Sequence, residues 1–210
     1  MKRPGVEPPA VETEYPMSPA TASDAMTAED FFAWVHRPEH RDRWFELQRG
    51  EVIEMPPPAK IHGRVCANVA FELEGYVRRR RKGYVTTNDT GVILERDPDT
   101  VRGPDVAVYE DASQFADLHP KFWATPPLLA VEVISPDDRA RHLIRKIIDY
   151  LRNGVYLVWT IDPEDRSATV YRLFSGPVRV DSTGELTGDE LLPGLVCRVA
   201  NLFLMPEEAG

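Results

Sequence analysis

The sequence predicts an α/β (α+β) domain built on a mixed β-sheet flanked by helices. Two observations carry this. Residues 128–161 read as an apolar strand, an amphipathic helix and a second apolar strand. That is a βαβ unit, which joins parallel strands by a right-handed crossover. Ahead of it, from residue 61, apolar residues at helical spacing give way to three short strand-like segments. A chain of 210 residues, 42% of them apolar, suits one domain with a fair-sized core plus tails.

The elements follow in order. Residues 1–25 are rich in Pro, Ala, Thr and Glu and are expected to be a disordered tail, leaving 26–207 as a single domain. TAEDFFAWV reads as a short helix with Thr27 as N-cap and Asp30 three positions on, an acidic variant of the capping box. WFELQRGEVIEM reads as a hairpin turning at Arg49 and Gly50, and the prolines at 56–58 end it. Ile61, Val65, Val69, Leu73, Tyr76 and Val77 mark one face of a long helix. The basic run 78–82 falls in its last turn, and Gly83 is the expected stop. YVTTN, GVILER and PDVAVYE are strand candidates, and 111–127 is a loop. RARHLIRKIIDYLRNG is an amphipathic helix with Ala140, Leu143, Ile144, Ile147, Ile148 and Leu151 on one face, stopped by Gly154. VYLVWTID, ATVYRLF and PVRV follow as strands.

Bulk properties narrow the function. No apolar run is long enough to cross a membrane, and the start, MKRPGVEPPAVETEYP, has no apolar core of a secretory signal. Cytoplasmic residence is expected. Cys66 and Cys197 lie far apart without a CxxC, so neither a structural zinc site nor a disulfide framework is expected. The net charge of −9 argues against non-specific nucleic-acid binding by the surface as a whole. It leaves room for a local basic surface, and it fits carboxylates grouped around a divalent cation.

Chemistry enters with LLAVEVISPDD, where Glu132 interrupts an apolar run. An ionised carboxylate buried without partners costs several kcal/mol. Glu132 must therefore pair with a cation, coordinate a metal, face a cleft or be protonated. Asp105 opens the run VAVY directly after Pro104, which places it at a strand end. If the two strands are neighbours, the two carboxylates meet, and a divalent cation removes their repulsion. Oxygen ligands favour magnesium, with manganese the alternative, over zinc. Lys146 follows on the next helix, on an edge shared with Arg139, Leu143 and Tyr150. That flank either carries an amine to the carboxylates or leaves a solvated surface lysine.

These stretches resemble a known family. FELQRGEVIEMPPP, HGRVCANVAFEL, DTGVIL, TVRGPDVAVY, LLAVEVISPDDRA, RKIIDYLRNGVYLVWTIDP and GDELLPGLVCRVANLF are similar, in the same order, to the Uma-two family of bacterial restriction-type endonucleases. That family is a branch of the PD-(D/E)XK nuclease superfamily. The resemblance implies a restriction-endonuclease-like αβββαβ core and magnesium-dependent hydrolysis of DNA phosphodiesters. It assigns Asp105 and Glu132 as metal ligands with the Val133 backbone, and Lys146 as the catalytic lysine. The superfamily's usual lysine position holds Ile134 instead. Glu46 matches a family acid in the hairpin; it alternates with Phe45 and Leu47, so it points away from the face those two bury. His62 matches a histidine before the long helix, with a helix-start residue of no chemistry as the other reading. Arg139, Arg141 and Arg145 are the expected phosphate contacts, in preference to the basic run 78–82. A homodimer is compatible with such nucleases. The rival function is a nuclease-fold module that binds or assembles without cutting.

Overall fold

The computed structural model describes residues 25–135 and 140–205. The expected tail, apart from Ala25, and Arg139 lie outside the described residues.

The first helix, α1 (Ala28–Val35), is capped by Thr27, whose hydroxyl oxygen accepts from the Asp30 N–H at 3.1 Å. Asp30 returns the contact through its carboxylate, which accepts from the Thr27 hydroxyl at 2.8 Å. The hairpin forms as expected from β1 (Trp44–Gln48) and β2 (Glu51–Met55). Its turn residues, Arg49 and Gly50, both have positive φ. That is the geometry whose twist matches two antiparallel strands.

The long helix α2 (Lys60–Arg80) buries Val65, Val69, Leu73, Tyr76 and Val77, the expected face. It ends at Arg81, which adopts the left-handed conformation itself (φ 55°). Gly83 is thus not the stop. A Cβ there would lie 2.6 Å from the Tyr109 carbonyl oxygen, so Gly83 lets the chain pass close under a neighbouring strand.

Next come β3 (Tyr84–Thr87), β4 (Val92–Glu95), β5 (Thr100–Arg102), β6 (Val106–Tyr109) and β7 (Leu129–Val133). Helix α3 (Ala140–Arg152) leads to β8 (Leu157–Asp162), β9 (Ser167–Arg172) and β10 (Val178–Val180), then a ribbon of β11 (Glu185–Gly188) and β12 (Leu192–Arg198). The main sheet has the order β10-β9-β8-β7-β6-β3, antiparallel except for the parallel pair β7/β8. It is the expected mixed sheet, and α2-β3-β6-β7-α3-β8 supplies the αβββαβ core. The segment GVILER departs from the main sheet. As β4 it pairs with β5, a strand not anticipated, in a second sheet of order β2-β1-β5-β4.

Alternation along the strands divides the interior. Val131 and Val133 face α2, in a core with Val65, Leu73, Val106 and Trp159. Ala130 and Val158 face α3, against Ile147 and Tyr150. A third cluster packs Phe31 on Leu47, Ile93 and Val101 beneath α1. Helix α3 corrects the sequence reading. It buries Lys146, Ile147 and Tyr150, while Ile144 and Ile148 remain 56% and 42% exposed. Its inward face runs through 143, 146, 147 and 150, an i, i+3, i+4, i+7 row. That face turns a lysine inward because carboxylates wait for it there.

Candidate active site

Glu132 shares the α3-facing side of β7 with Ala130. Val106 pairs with Val131 across β6 and β7, so continuing the antiparallel register sets Asp105 opposite Glu132. The two carboxylates therefore stand at adjoining strand ends, as expected. Asp105 Oδ2 accepts the Val133 N–H at 2.6 Å, and Asp105 Oδ1 lies 3.3 Å from His62 Nε2. His62 is in the first turn of α2, and its Nδ1 lies 3.4 Å from Cys66 Sγ one turn on.

Glu132 is 5% exposed and both its oxygens are engaged. Lys146 Nζ donates to Oε2 at 2.7 Å, and the Tyr150 hydroxyl donates to Oε1 at 2.7 Å. The ammonium has two further acceptors, Glu46 Oε1 at 3.0 Å and the Gly103 carbonyl at 3.3 Å. Three protons meet three acceptors, the full donor capacity of a lysine. The surface alternative for Lys146 is thereby corrected, and so is the exposed alternative for Glu46, which is 5% exposed.

Leu47 pairs with Val101, and continuing that register sets Glu46 opposite Arg102. Arg102 is 3% exposed and donates to Glu46 Oε2 at 2.7 Å, to Gln48 at 3.1 Å and to Asp149 at 2.6 and 3.0 Å. Sequence reasoning missed Arg102 and Asp149, and placed Tyr150 on the Lys146 edge without giving it a role. It also missed Asp89, which lines the same cleft. Asn88 and Asp89 both have positive φ, which short polar side chains tolerate best. Gly103 fits beneath this bend, since a Cβ would lie 2.6 Å from the Asp89 carbonyl oxygen.

The electrostatics follow from this crowding. Burial, with the charges of Asp105 and Glu46, pushes Glu132 up to about 8 against the pull of Lys146. Enclosure in the cleft and the Asp105 charge raise Asp89 to about 6, although much of the residue's surface is open to solvent. Burial also opposes ionisation of Glu46, but Lys146 and Arg102 outweigh it and hold that carboxyl below its usual range. Burial works against the Lys146 ammonium, and the surrounding carboxylates more than offset it.

The cleft is open on one side and lined by Glu46, His62, Asp89, Asp105, Glu132 and Lys146, among others. His62, Cys66 and Asp105 also bring three metal-ligating atoms within 4.8 Å of one another. Arg141 and Arg145 are exposed on α3 and do not line the cleft. The basic run at the far end of α2 is partly neutralised: Arg78 pairs with Glu74, and Arg80 and Lys82 pair with Glu110.

A six-stranded mixed sheet between α2 and α3, with carboxylates and a lysine gathered at its strand ends, defines a nuclease-like α/β protein. The fold has a solved counterpart. A crystal structure described as a putative nuclease belonging to DUF820, from Anabaena variabilis ATCC 29413, superposes with a TM-score of 0.70. It is 19% identical, and the match covers 85% of this chain and 97% of that one. A search of curated proteins gives no match. The model of the Uma2 family, described as "Putative restriction endonuclease", matches residues 28–200, and the chain belongs to that family. Among the described residues, no helix is long and apolar enough to cross a membrane.

Proposed function

We propose that the protein is a metal-dependent endonuclease that hydrolyses DNA phosphodiesters in the Asp105–Glu132–Lys146 cleft. One observation carries this reading. Two carboxylates from neighbouring strand ends and a buried ammonium, 2.7 Å from one of them, converge in a cleft open to solvent. Family membership and fold support it.

The residues present fit a divalent cation. Among the described residues, Asp89, Asp105, Glu46, Glu132 and Asp149 crowd around two permanently charged cations, Lys146 and Arg102. The raised Glu132 and Asp89 carboxyls register that excess of negative charge. Hard oxygen donors of this kind suit magnesium, or manganese, and Asp105, Glu132 and the Val133 carbonyl would hold it. When bound, it supplies Lewis-acid neutralisation of charge on the phosphoryl oxygens. The chain's own groups do the rest. Lys146, whose three protons are already held, stabilises charge that develops in the transition state. Glu46 and the Gly103 carbonyl fix the ammonium, Arg102 fixes Glu46, and His62 with the Val133 N–H fixes Asp105. Arg141 and Arg145 on the open flank of α3 meet neighbouring phosphates.

The test is cleavage of supercoiled plasmid by the purified chain with magnesium, with manganese and with chelator. Metal-dependent nicking is expected, and Asp105→Ala and Glu132→Ala should each abolish it. Nicking that survives in both variants would overturn the assignment. A second reading, a fold kept for binding or assembly, draws on Ile134 at the usual lysine position and on the engagement of both Glu132 oxygens. Calorimetric titration with manganese separates the two, because a chain without a metal site belongs to the second.

A further inference from the structure

The hydrolytic reading uses Asp105 with Glu132 and gives Cys66 no part. Yet Cys66 stands in a convergent set of its own. His62 and Cys66 are one helical turn apart at the start of α2 and project to the same side. Asp105 reaches the same point from the entry to β6. Their ligating atoms lie within 4.8 Å of one another, with His62 Nε2 to Asp105 Oδ1 at 3.3 Å.

We infer that His62, Cys66 and Asp105 form a site for a zinc-class transition ion. Around a tetrahedral ion with bonds of about 2.0–2.3 Å, ligand atoms stand roughly 3.3–3.8 Å apart. Cys66 Sγ lies 3.4 Å from His62 Nδ1 and Asp105 Oδ1 lies 3.3 Å from the other ring nitrogen, Nε2, so the imidazole or the cysteine must turn for all three residues to close on one ion. A sulfur and an imidazole select zinc, cobalt or nickel over magnesium, which prefers oxygen alone. Three protein ligands leave a fourth position open, the mark of an exchangeable ion rather than a structural one. Glu132 need not be released, because Lys146 and Tyr150 keep it.

The surroundings argue for an ion rather than a reactive thiol. The line Cys66–His62–Asp105 has the order of a thiol hydrolase triad. Cys66 is partly buried, and the carboxylates of Asp105, Asp89 and Glu132 surround it with negative charge. A cysteine nucleophile needs the opposite environment. A divalent cation reverses the local field. As the sulfur–metal bond forms, the thiol proton leaves to solvent, one proton per ion bound. Ion binding by these three residues does not rest on the nuclease reading above.

The test reads the ion itself. The untagged full chain is titrated with cobalt(II) under a phosphine reductant. One equivalent should give a sulfur-to-cobalt charge-transfer band in the near ultraviolet, and zinc should bleach it. Only two cysteines exist in the chain, so assignment is direct. The band should vanish in Cys66→Ser, persist in Cys197→Ser and weaken at least tenfold in affinity in His62→Gln. Zinc-edge X-ray absorption of the wild-type chain should show one sulfur among nitrogen and oxygen neighbours, a readout independent of whether any variant folds. A shell without sulfur, or a band retained in Cys66→Ser, overturns the site. If the cobalt band appears but plasmid is never cut, the ion site stands and the nuclease reading fails. Cutting without the band gives the reverse.

Discussion

Glu132 is the residue on which the proposed chemistry turns, and its protonation has a measurable consequence. Its carboxyl is raised to about 8 in the folded chain, and Asp89 to about 6. Both are raised above the ordinary values near 4 of an unfolded chain. A group raised on folding contributes stability that is fully present below its unfolded pKa and is lost as pH climbs through the folded one. The metal-free protein should therefore lose stability between about pH 4 and pH 8 through these two groups. A divalent cation removes the loss by pairing with the ionised carboxylates. Thermal unfolding in chelator should give a lower Tm at pH 8.5 than at pH 6, and magnesium should raise Tm more at pH 8.5. Equal magnesium shifts at the two pH values would contradict this placing of the negative charge. Tyr150 acts on the same carboxylate. Tyr150→Phe removes a hydrogen bond to a charged group, a loss of about 1.5–3 kcal/mol. Urea unfolding measures it, at a pH where Glu132 is ionised and magnesium is present.

At the scale of elements, Arg102 joins three of them. It lies on β5, binds Glu46 on β1 and binds Asp149 on α3, all within the protein. Removing one partner of a buried ion pair leaves the others uncompensated, at a cost of about 3–5 kcal/mol. Arg102→Met should lower unfolding stability by that amount in a denaturant titration. The double variant with Glu46→Gln should recover part of it, because one of the two carboxylates that lost Arg102 is gone; a purely additive double variant would show that Glu46 and Arg102 do not couple. This joint also marks where the sequence stopped being legible. Glu132 was readable because a carboxylate contradicts an apolar strand, and Asp105 because Pro104 fixes it at a strand end. The βαβ unit and α2 were readable from their periods. Arg102 and β5 were not, since a three-residue strand has too few positions to show alternation. The inward face of α3 was misread because hydrophobicity alone favours Ile144 and Ile148 over Lys146 and Tyr150. Only the partners across the sheet, Glu46 and Glu132, decide that the lysine turns in. The i, i+4 spacing of His62 and Cys66 was visible, but nothing local to α2 announces that Asp105 completes the set.

At the scale of the whole molecule, the proposed function requires the chain to bring an anionic polymer to an acidic cleft. Its net charge of −9 repels DNA at long range, and the acidic cluster adds to this at the point of reaction. Docking must rely on local cations that are not already neutralised. The basic run at the end of α2 is a poor candidate, since Arg78, Arg80 and Lys82 are paired with glutamates. It is also remote, because sixteen residues of helix separate Arg78 from His62, which at the α-helical rise is roughly 24 Å. Arg141 and Arg145 are exposed on the first turns of α3, the helix that carries Lys146 into the cleft. Each phosphate neutralised on duplex DNA contributes about −0.9 to the slope of log affinity against log salt. Removing both arginines should make that slope shallower by about 1.8 and weaken binding at low salt regardless of sequence. Arg78→Ala with Arg79→Ala should leave the slope unchanged. The measurement is fluorescence anisotropy of a labelled duplex across a salt series, with calcium in place of magnesium to suppress cutting. If the α2 pair flattens the slope and the α3 pair does not, DNA approaches from the opposite end of the long helix. The phosphate would then have no direct route to Lys146.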